Sequence, residues 1–247
     1  MSDHSRIEWT MATWNPVTGC TKVSDGCAHC YAERLAVRLQ RMGNPKYHSG
    51  FEVTLHPDSL RAPVRWTRPR SIFVNSMSDL FHEKVPKEFI EAVVETMRST
   101  PQHSYQILTK RADRLLEVSR GLKWPNNAWI GVTVESRVVT DRIAILREVE
   151  AAVRFVSFEP LLSDLPNLDL DGVDWAIVGG ESGPGARPMS GDWARHIRDE
   201  CTRSGTAFFF KQWGGVRKNA AGRILDGRTW DEMPQSLGRL TQSASAT

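Results

Sequence analysis

Short apolar segments recur along the chain and alternate with segments whose apolar residues follow a helical period. Seven of the apolar segments are strand-like, and several are apolar enough throughout to be buried on both faces of a sheet. These seven segments are Phe51–Leu55, Ile72–Asn75, Tyr105–Thr109, Trp129–Val134, Val153–Phe158, Trp175–Val178 and Ala207–Phe210.

Helical patterns lie between most of these strands. The first runs from Tyr31 to Met42 and stops at a glycine and a proline. The clearest begins at Pro86, after which apolar residues recur on one face as far as Met97. Two further helices are predicted from the spacing of Val138, Ile143, Leu146 and Val149, and from that of Trp193, Ile197 and Cys201.

Strands that alternate with helices predict right-handed crossover units and a parallel sheet, which is either an open doubly wound sheet or a barrel. A further short strand around Ile7–Thr10 brings the count close to that of a barrel. We therefore predict an α/β fold, a partial or full (β/α) barrel with parallel strands. We expect one domain over residues 1–235 with a C-terminal hairpin that turns at Asp226-Gly227, and a disordered tail over residues 236–247.

Composition narrows the class of protein. At 247 residues with 25% charged residues, the chain can bury one substantial core. No segment approaches the roughly 20 apolar residues of a membrane span, so we expect a cytoplasmic protein without a membrane partner. The 32 basic and 29 acidic residues permit a nucleic-acid partner without requiring one.

Three of the four cysteines lie close together. Six residues separate Cys20 from Cys27, and two separate Cys27 from Cys30, whereas Cys201 lies far downstream. Clustered thiolates are ligands for zinc or for iron–sulfur clusters. A 4Fe-4S cluster on three thiolates leaves one iron open to a substrate. Structural zinc is the alternative, with His29, His48, His82 or Cys201 as the fourth ligand.

Polar residues follow nearly every predicted strand, at the edge where ligands bind in parallel α/β folds. For each residue, a solvated loop, a helix cap or an ion pair is the alternative explanation. Lys110 and the adjacent Arg111 are suited to neutralising an anion. The other candidates at strand ends are Asn75, Ser76, Ser78, Asp79, Glu135, Glu159, Glu181 and Lys211.

Several segments together resemble a known family. The opening segments around Ile7–Thr10, Ala12–Cys20 and Gly26–Glu33 are similar to the signature of a small, phage-associated, three-cysteine group of uncharacterised (mycobacterio)phage gene products in the radical S-adenosylmethionine superfamily. Later blocks, Phe158–Leu162, Val178–Gly183, Phe210–Gly214 and Leu225–Arg228, also resemble this group. The resemblance spans roughly residues 6 to 234.

The resemblance implies a 4Fe-4S cluster on Cys20, Cys27 and Cys30, with S-adenosylmethionine on the open iron. Reductive cleavage of that cofactor gives a 5'-deoxyadenosyl radical, which abstracts hydrogen from a substrate. The superfamily's usual spacing has three residues between its first two cysteines, whereas this chain has six. His29 or Tyr31 would stack near the adenine.

The resemblance also implies cofactor-binding roles for the candidate residues at the strand ends. Asn75, Ser76, Ser78 and Asp79 would bind the ribose or the methionine carboxylate. Of the remaining candidates, Lys110 would neutralise an anion, and the carboxylates and Lys211 would hold the cofactor or the substrate. Glu181 resembles the superfamily's glycine-glycine-glutamate element, although it comes late in the chain.

These inferences predict a radical S-adenosylmethionine enzyme that takes electrons from a flavodoxin- or ferredoxin-type donor. We expect a nucleobase or nucleic acid as substrate, because a basic stretch from Arg61 to Arg70 encloses Trp66, and because Trp213 follows Lys211. A radical enzyme acting on a peptide or small metabolite is one alternative. A non-catalytic, zinc-stabilised nucleic-acid-binding module is the other.

Overall fold

The computed structural model describes residues 5, 7–216 and 221–234. Its strands are β1 (Ala12–Trp14), β2 (Val17–Thr18), β3 (Thr54–Leu55), β4 (Ser71–Val74), β5 (Ser104–Thr109), β6 (Ala128–Thr133), β7 (Val153–Phe158), β8 (Trp175–Gly179) and β9 (Ala207–Gln212). Its α-helices are α1 (Tyr31–Arg41), α2 (Lys87–Arg98), α3 (Ala112–Ser119), α4 (Asp141–Arg147) and α5 (Gly191–Ser204).

Seven strands form a parallel sheet in the order β1-β4-β5-β6-β7-β8-β9. α-Helices lie in the connections between most successive strands of this sheet, whereas residues 159–174, between β7 and β8, contain no helix. Long connections are expected because a parallel pair cannot be joined by a tight turn. The predicted fold class is confirmed: the chain is an α/β protein with the parallel strands of a partial barrel. The chain forms two compact units, one of residues up to Val132 with Glu148–Ala152, the other of Thr133–Arg147 with the residues from Val153 onward.

The first unit contains β1, β4, β5 and the cysteine loop. Trp14, Ile72 and Tyr105 are completely buried in its sheet. The apolar face of α2 is also buried, as its spacing predicts, and Met97 lies at 0% exposure. Strands β2 and β3 pair antiparallel in a separate two-stranded sheet, with Val17 opposite Leu55.

The second unit contains β7, β8 and β9 in parallel register. Its core is aromatic, with Phe155, Trp175 and Phe210 completely buried. Asp226 and Gly227 form a two-residue turn with positive φ at both positions, and Leu225 pairs with Arg228 across it. The segment after this turn lies antiparallel to β9, where the N–H of Phe210 donates to Trp230 O at 2.9 Å.

The predicted positions of three elements were wrong. The first strand is Ala12–Trp14, because residues 7–10 form a turn in which Thr10 N–H donates to Ile7 O. The predicted strand Phe51–Leu55 is reduced to two residues and lies outside the parallel sheet. Val138 is 86% exposed, because it belongs to a separate 3-10 turn before α4.

The prediction of a single domain over residues 1–235 stays a prediction. The predicted tail, residues 236–247, lies outside the described residues. Among the helices of the described part of the chain, none combines the length and the apolar character needed to span a membrane.

Candidate functional site

The cysteine loop of the first unit is attached to its neighbours by backbone contacts at its beginning. Gly19 N–H donates to Met77 O at 3.0 Å, and Cys20 N–H donates to Phe51 O at 3.2 Å. A Cβ on Gly19 would lie 2.1 Å from Glu52 O, and the φ of Gly19 is +83°. Only glycine satisfies both conditions, so Gly19 fixes where Cys20 emerges.

The other two cysteines lie at the beginning of α1. Cys27 ends a short 3-10 helix, Asp25–Cys27, and Cys30 is the N-cap residue of α1. All three clustered cysteines are half-buried free thiols. A helix N-terminus favours negative charge, so the position of Cys30 is suited to a thiolate ligand.

One buried cation contacts this loop. The guanidinium of Arg111, a residue only 7% exposed, donates to Cys20 Sγ at 3.5 Å. Another of its nitrogens donates to Thr21 Oγ1 at 2.8 Å, and Nε donates to Glu83 Oε1 at 3.0 Å. Arg111 also forms an ion pair with the buried Asp79 at 3.5 Å. These contacts fix the guanidinium beside the first thiol.

The charges around Cys20 oppose one another. Burial, with a smaller contribution from Asp79, raises the pKa of the Cys20 thiol to about 11, although Arg111 acts to lower it. The thiol is therefore protonated at neutral pH without a metal. Metal binding at Cys20 has to release a proton.

In the described residues, no three His, Cys, Asp or Glu side chains lie together as a metal-binding group. The chemistry of the donor set nonetheless fits a thiolate-bound metal centre, because three half-buried thiols share one loop and a buried cation adjoins one of them. Binding would require the thiols to draw together.

Two of the residues considered as a fourth zinc ligand have other partners. His82 contacts Thr21 Oγ1 through Nε2 at 2.9 Å and accepts from Lys84 N–H through Nδ1. Cys201 is 1% exposed on the buried side of α5, in the second unit. Cys201 therefore packs as a small buried hydrophobe.

The segment after β4 lies beside the cysteine loop. Tyr31 Oη donates to Ser76 O, and Ser78 Oγ donates to Val17 O at 2.8 Å. Asn75 has a φ of +57°, and its Oδ1 accepts from Val17 N–H at 3.3 Å. The Nδ2 atom of Asn75 is buried with no hydrogen-bond partner among the described residues. This unsatisfied donor is a candidate contact for a carboxylate or hydroxyl.

Asp79 connects the segment after β4 to the end of β5. Both of its carboxylate oxygens accept from Thr109 Oγ1, at 2.8 and 2.9 Å, and one accepts from Lys110 N–H at 3.2 Å. The other oxygen accepts from Phe81 N–H at 2.9 Å. With its Arg111 contact, Asp79 has a full set of protein partners, which supports a structural role.

The two remaining predicted residues of the first unit are more accessible. His29 is half-buried on the cysteine loop. Lys110 is also half-buried, and its ammonium has no hydrogen bond or ion pair to a described residue. Lys110 is therefore the cation of this segment that is available to an anionic ligand.

The second unit contains the other predicted carboxylates, each in an ion pair. Glu135 is completely buried, and Arg142 Nη1 donates to it at 3.0 Å and to Thr133 O at 2.8 Å. Glu181 is 5% exposed and accepts from the Arg187 guanidinium through both oxygens, at 2.9 and 2.5 Å. Neither arginine partner was predicted, because each follows its glutamate in a loop or a helix rather than at a strand end.

Glu159, which pairs with Lys211, is the most accessible of these three carboxylates. The Lys211 ammonium donates to both oxygens of Glu159, at 2.6 and 2.8 Å. Gln212 Nε2 donates to Ser182 Oγ at 2.9 Å and to Glu159 Oε1 at 3.3 Å. The Oε1 of Gln212 is buried with no partner among the described residues. Sequence reasoning did not select Gln212, although it adjoins Lys211.

Close backbone contacts hold the side chains around Glu159 in place. A Cβ on Gly180 would lie 1.9 Å from Trp213 O, and one on Gly214 would lie 2.3 Å from Glu181 O. The glycines of the segment after β8 therefore allow two strand ends of the second unit to approach each other.

Comparison with solved structures gives several structures of spore photoproduct lyase. A cysteine-to-serine variant is 15% identical, with a TM-score of 0.48, over 82% of this chain and 64% of that chain. A variant with bound AdoMet and dinucleoside spore photoproduct is 14% identical, with a TM-score of 0.44, over 78% and 61%. The chain spans about 60% of the length of the first such structure, the lyase complexed with dinucleoside spore photoproduct.

No curated protein matches the chain. A family model, described as "Protein of unknown function (DUF5131)", matches residues 4–234. Because this match covers nearly the whole chain, the protein belongs to the DUF5131 family.

Proposed function

We propose that the protein is a radical S-adenosylmethionine enzyme that binds a 4Fe-4S cluster through Cys20, Cys27 and Cys30. The observation that carries this proposal is the loop itself: three half-buried thiols, one beside a buried guanidinium, at the N-terminus of α1. The resemblance of the surrounding sequence to the phage-associated group supports the same proposal. Reduced by a flavodoxin- or ferredoxin-type donor, the bound cluster and cofactor would supply a carbon radical that no side chain can provide.

Residues of the first unit would hold the cofactor. Among the described residues, Asn75 Nδ2 is a buried donor without a partner and the ammonium of Lys110 is unpaired, so both are suited to the methionine carboxylate or the ribose. Tyr31 is 53% exposed and directly follows the last cysteine, where its ring could stack on the adenine. His29, Ser76 and Ser78 remain proposed contacts at the same segments.

The polar side chains around Glu159 in the second unit are proposed to bind the cofactor or the substrate. The Lys211–Glu159 pair is partly accessible, with 11% and 22% of the two side chains exposed. Gln212 presents a buried acceptor, Oε1, that has no partner within the described part of the chain. Glu135 and Glu181 are more deeply buried and paired with arginines, so ligand binding by them would have to replace or share these partners.

A nucleobase or nucleic acid is the substrate class that we propose. Arg61, Arg65 and Arg68 are exposed residues close together in sequence, and Arg70 lies over the ring of Trp66 at 5.1 Å. A cationic surface with an aromatic ring suits a nucleic-acid backbone and its bases. A peptide or small metabolite is the rival substrate, and it would not require this surface.

The test is anaerobic reconstitution with iron and sulfide, followed by incubation with S-adenosylmethionine and dithionite. We expect a brown protein that contains about four irons and releases 5'-deoxyadenosine. A colourless protein with one tightly bound zinc and no iron would instead establish the zinc-stabilised module. Binding to DNA or RNA that weakens steeply with salt would favour the nucleic-acid substrate over its rival.

A further inference from the structure

Arg111 is fixed in place by groups other than the thiol it touches. Asp79, Glu83 and Thr21 accept from or pair with three different parts of its guanidinium, at 3.5, 3.0 and 2.8 Å. Arg111 N–H also donates to Thr109 Oγ1 at 2.9 Å. The guanidinium therefore stays beside Cys20 independently of any metal.

A fixed positive charge next to a thiolate ligand has two physical effects on a metal centre. It stabilises the negative charge of the bound thiolate, and it favours the reduced form of a redox-active centre because reduction adds a negative charge. Both effects are strong where water is excluded, and Arg111 is 7% exposed.

We propose that Arg111 is a positioning residue that holds the Cys20 thiolate and raises the reduction potential of a cluster bound through it, an inference that rests on the proposed function. The ammonium of Lys110, the preceding residue, has no hydrogen bond or ion pair to a described residue and would bind an anionic ligand. The two adjacent cations of this strand end thus have separate roles, one toward the thiolate and one toward the cofactor.

The experiment compares Arg111→Gln and Arg111→Lys with Arg120→Gln in reconstituted protein. Arg120 is an exposed residue at the end of the same helix, α3. For Arg111→Gln we expect a reduction potential shifted to more negative values and about 10- to 100-fold weaker iron retention against a chelator. Arg111→Lys should recover part of both changes, and Arg120→Gln should match the wild type.

The outcomes separate the two proposals. If the wild type assembles a cluster and Arg111→Gln leaves both its potential and its iron retention unchanged, the inference about Arg111 is overturned while the proposed function stands. If the wild type assembles no cluster, both are overturned. Circular dichroism of the metal-free variants checks their folding. Equal losses in Arg111→Gln and Arg111→Lys with normal potentials would reduce Arg111 to a structural residue and also overturn the inference.

Discussion

Arg111 donates a hydrogen bond to the sulfur of Cys20 across 3.5 Å, although 91 residues separate them in the sequence. The contact joins the end of β5 to the beginning of the cysteine loop. It places a permanent positive charge at the one cysteine of the trio that precedes the long six-residue spacing. The loop is therefore stabilised by tertiary contacts at its beginning and by α1 at its end.

Replacing each clustered cysteine tests the ligand assignment. Cys27→Ala should lose nearly all bound iron and release no 5'-deoxyadenosine, because two thiolates cannot hold the cluster. Iron and sulfide analysis after anaerobic reconstitution measures the first effect, and chromatography of the reaction measures the second.

Cys201→Ala is the matched control. It should keep full iron content, because Cys201 lies 1% exposed in the second unit, and it should lower the free energy of unfolding by roughly 1 kcal/mol through lost packing. Iron loss in Cys201→Ala equal to that in Cys27→Ala would contradict the assignment of the trio.

Gly19→Ala should disturb the cysteine loop more than Gly43→Ala. Both glycines have positive φ, +83° and +71°, so both variants incur a similar backbone strain of about 1 kcal/mol. Only Gly19 would place a Cβ 2.1 Å from a backbone oxygen, whereas Gly43 has free space. We expect weaker iron retention and a lower melting temperature for Gly19→Ala alone, and equal behaviour of the two variants would refute the close-approach argument.

Breaking the buried ion pair between Glu135 and Arg142 should lower the stability of the protein. Arg142→Met removes the cation that donates to the completely buried Glu135 and should cost about 3–5 kcal/mol in the free energy of unfolding. The double variant Glu135→Leu/Arg142→Met should recover most of that loss, because it removes both charges. Urea denaturation measures both values.

The control for this pair is Arg137→Met, which removes a surface partner of Asp164 from a side chain that is 62% exposed. It should change stability by less than about 1 kcal/mol. A loss as large as that of Arg142→Met would mean that burial does not set the cost of breaking these pairs.

Lys211→Met and Glu159→Gln test the group of polar side chains around Glu159 in the second unit. If it binds ligand, both variants should keep the iron content of the wild type, because the cysteines belong to the first unit, while affinity for S-adenosylmethionine or substrate falls about tenfold or more. Calorimetric titration of the reconstituted protein measures the affinity. Unchanged binding and turnover would leave this pair a purely structural contact.

The lowered pKa of His56 predicts that the folded protein loses stability in mild acid. Burial lowers the pKa of His56 to about 4, with a further contribution from Lys46, below the ordinary value of 6.5. The unfolded chain therefore binds more protons than the folded chain between these values, so stability falls as the pH drops from about 6.5 to 4. His56→Gln should flatten that part of the profile in denaturant titrations.

His196 should behave in the opposite way. Its hydrogen bond to Asp164 raises the pKa of His196, so it contributes stability below the unfolded value that is lost as the pH rises through the folded one. His196→Gln should therefore remove the gain in stability that occurs as the pH falls to about 6.5 from above, and should leave the loss between about 6.5 and 4 unchanged. Parallel shifts of the two variants would contradict these assignments.

Periodicity predicted the elements that bury a continuous apolar face. The strands β4 to β9 and the helix α2 were found from this signal, because a parallel sheet buried on both faces requires unbroken apolar runs. The first strand was misplaced to Ile7–Thr10, because a turn can contain apolar residues whose burial comes from packing alone. Trp9, for example, is 5% exposed yet lies outside any strand.

The sequence pattern predicted which types of residue lie at the strand ends of the site. It did not predict which of these residues contact one another. Asp79 and Glu135 were selected as ligand candidates, whereas the structure gives them protein partners that lie 30 to 32 residues away for Asp79 and 7 residues away for Glu135. Pairing across such distances depends on register and on side-chain direction, which one sequence does not specify. Arg111 was noticed only as a cation, because nothing local links it to Cys20.

The short segment after the Asp226-Gly227 turn has a bearing on how the molecule behaves at high concentration. β9 is the last strand of the parallel sheet, and an unprotected terminal strand offers its backbone groups to other chains. Residues 230–232 occupy that position, through hydrogen bonds from Phe210 N–H to Trp230 O and from Glu232 N–H to Phe208 O. Weakening this cover, for instance by placing proline at Glu232, should promote intermolecular strand pairing and aggregation before it affects the cysteine loop.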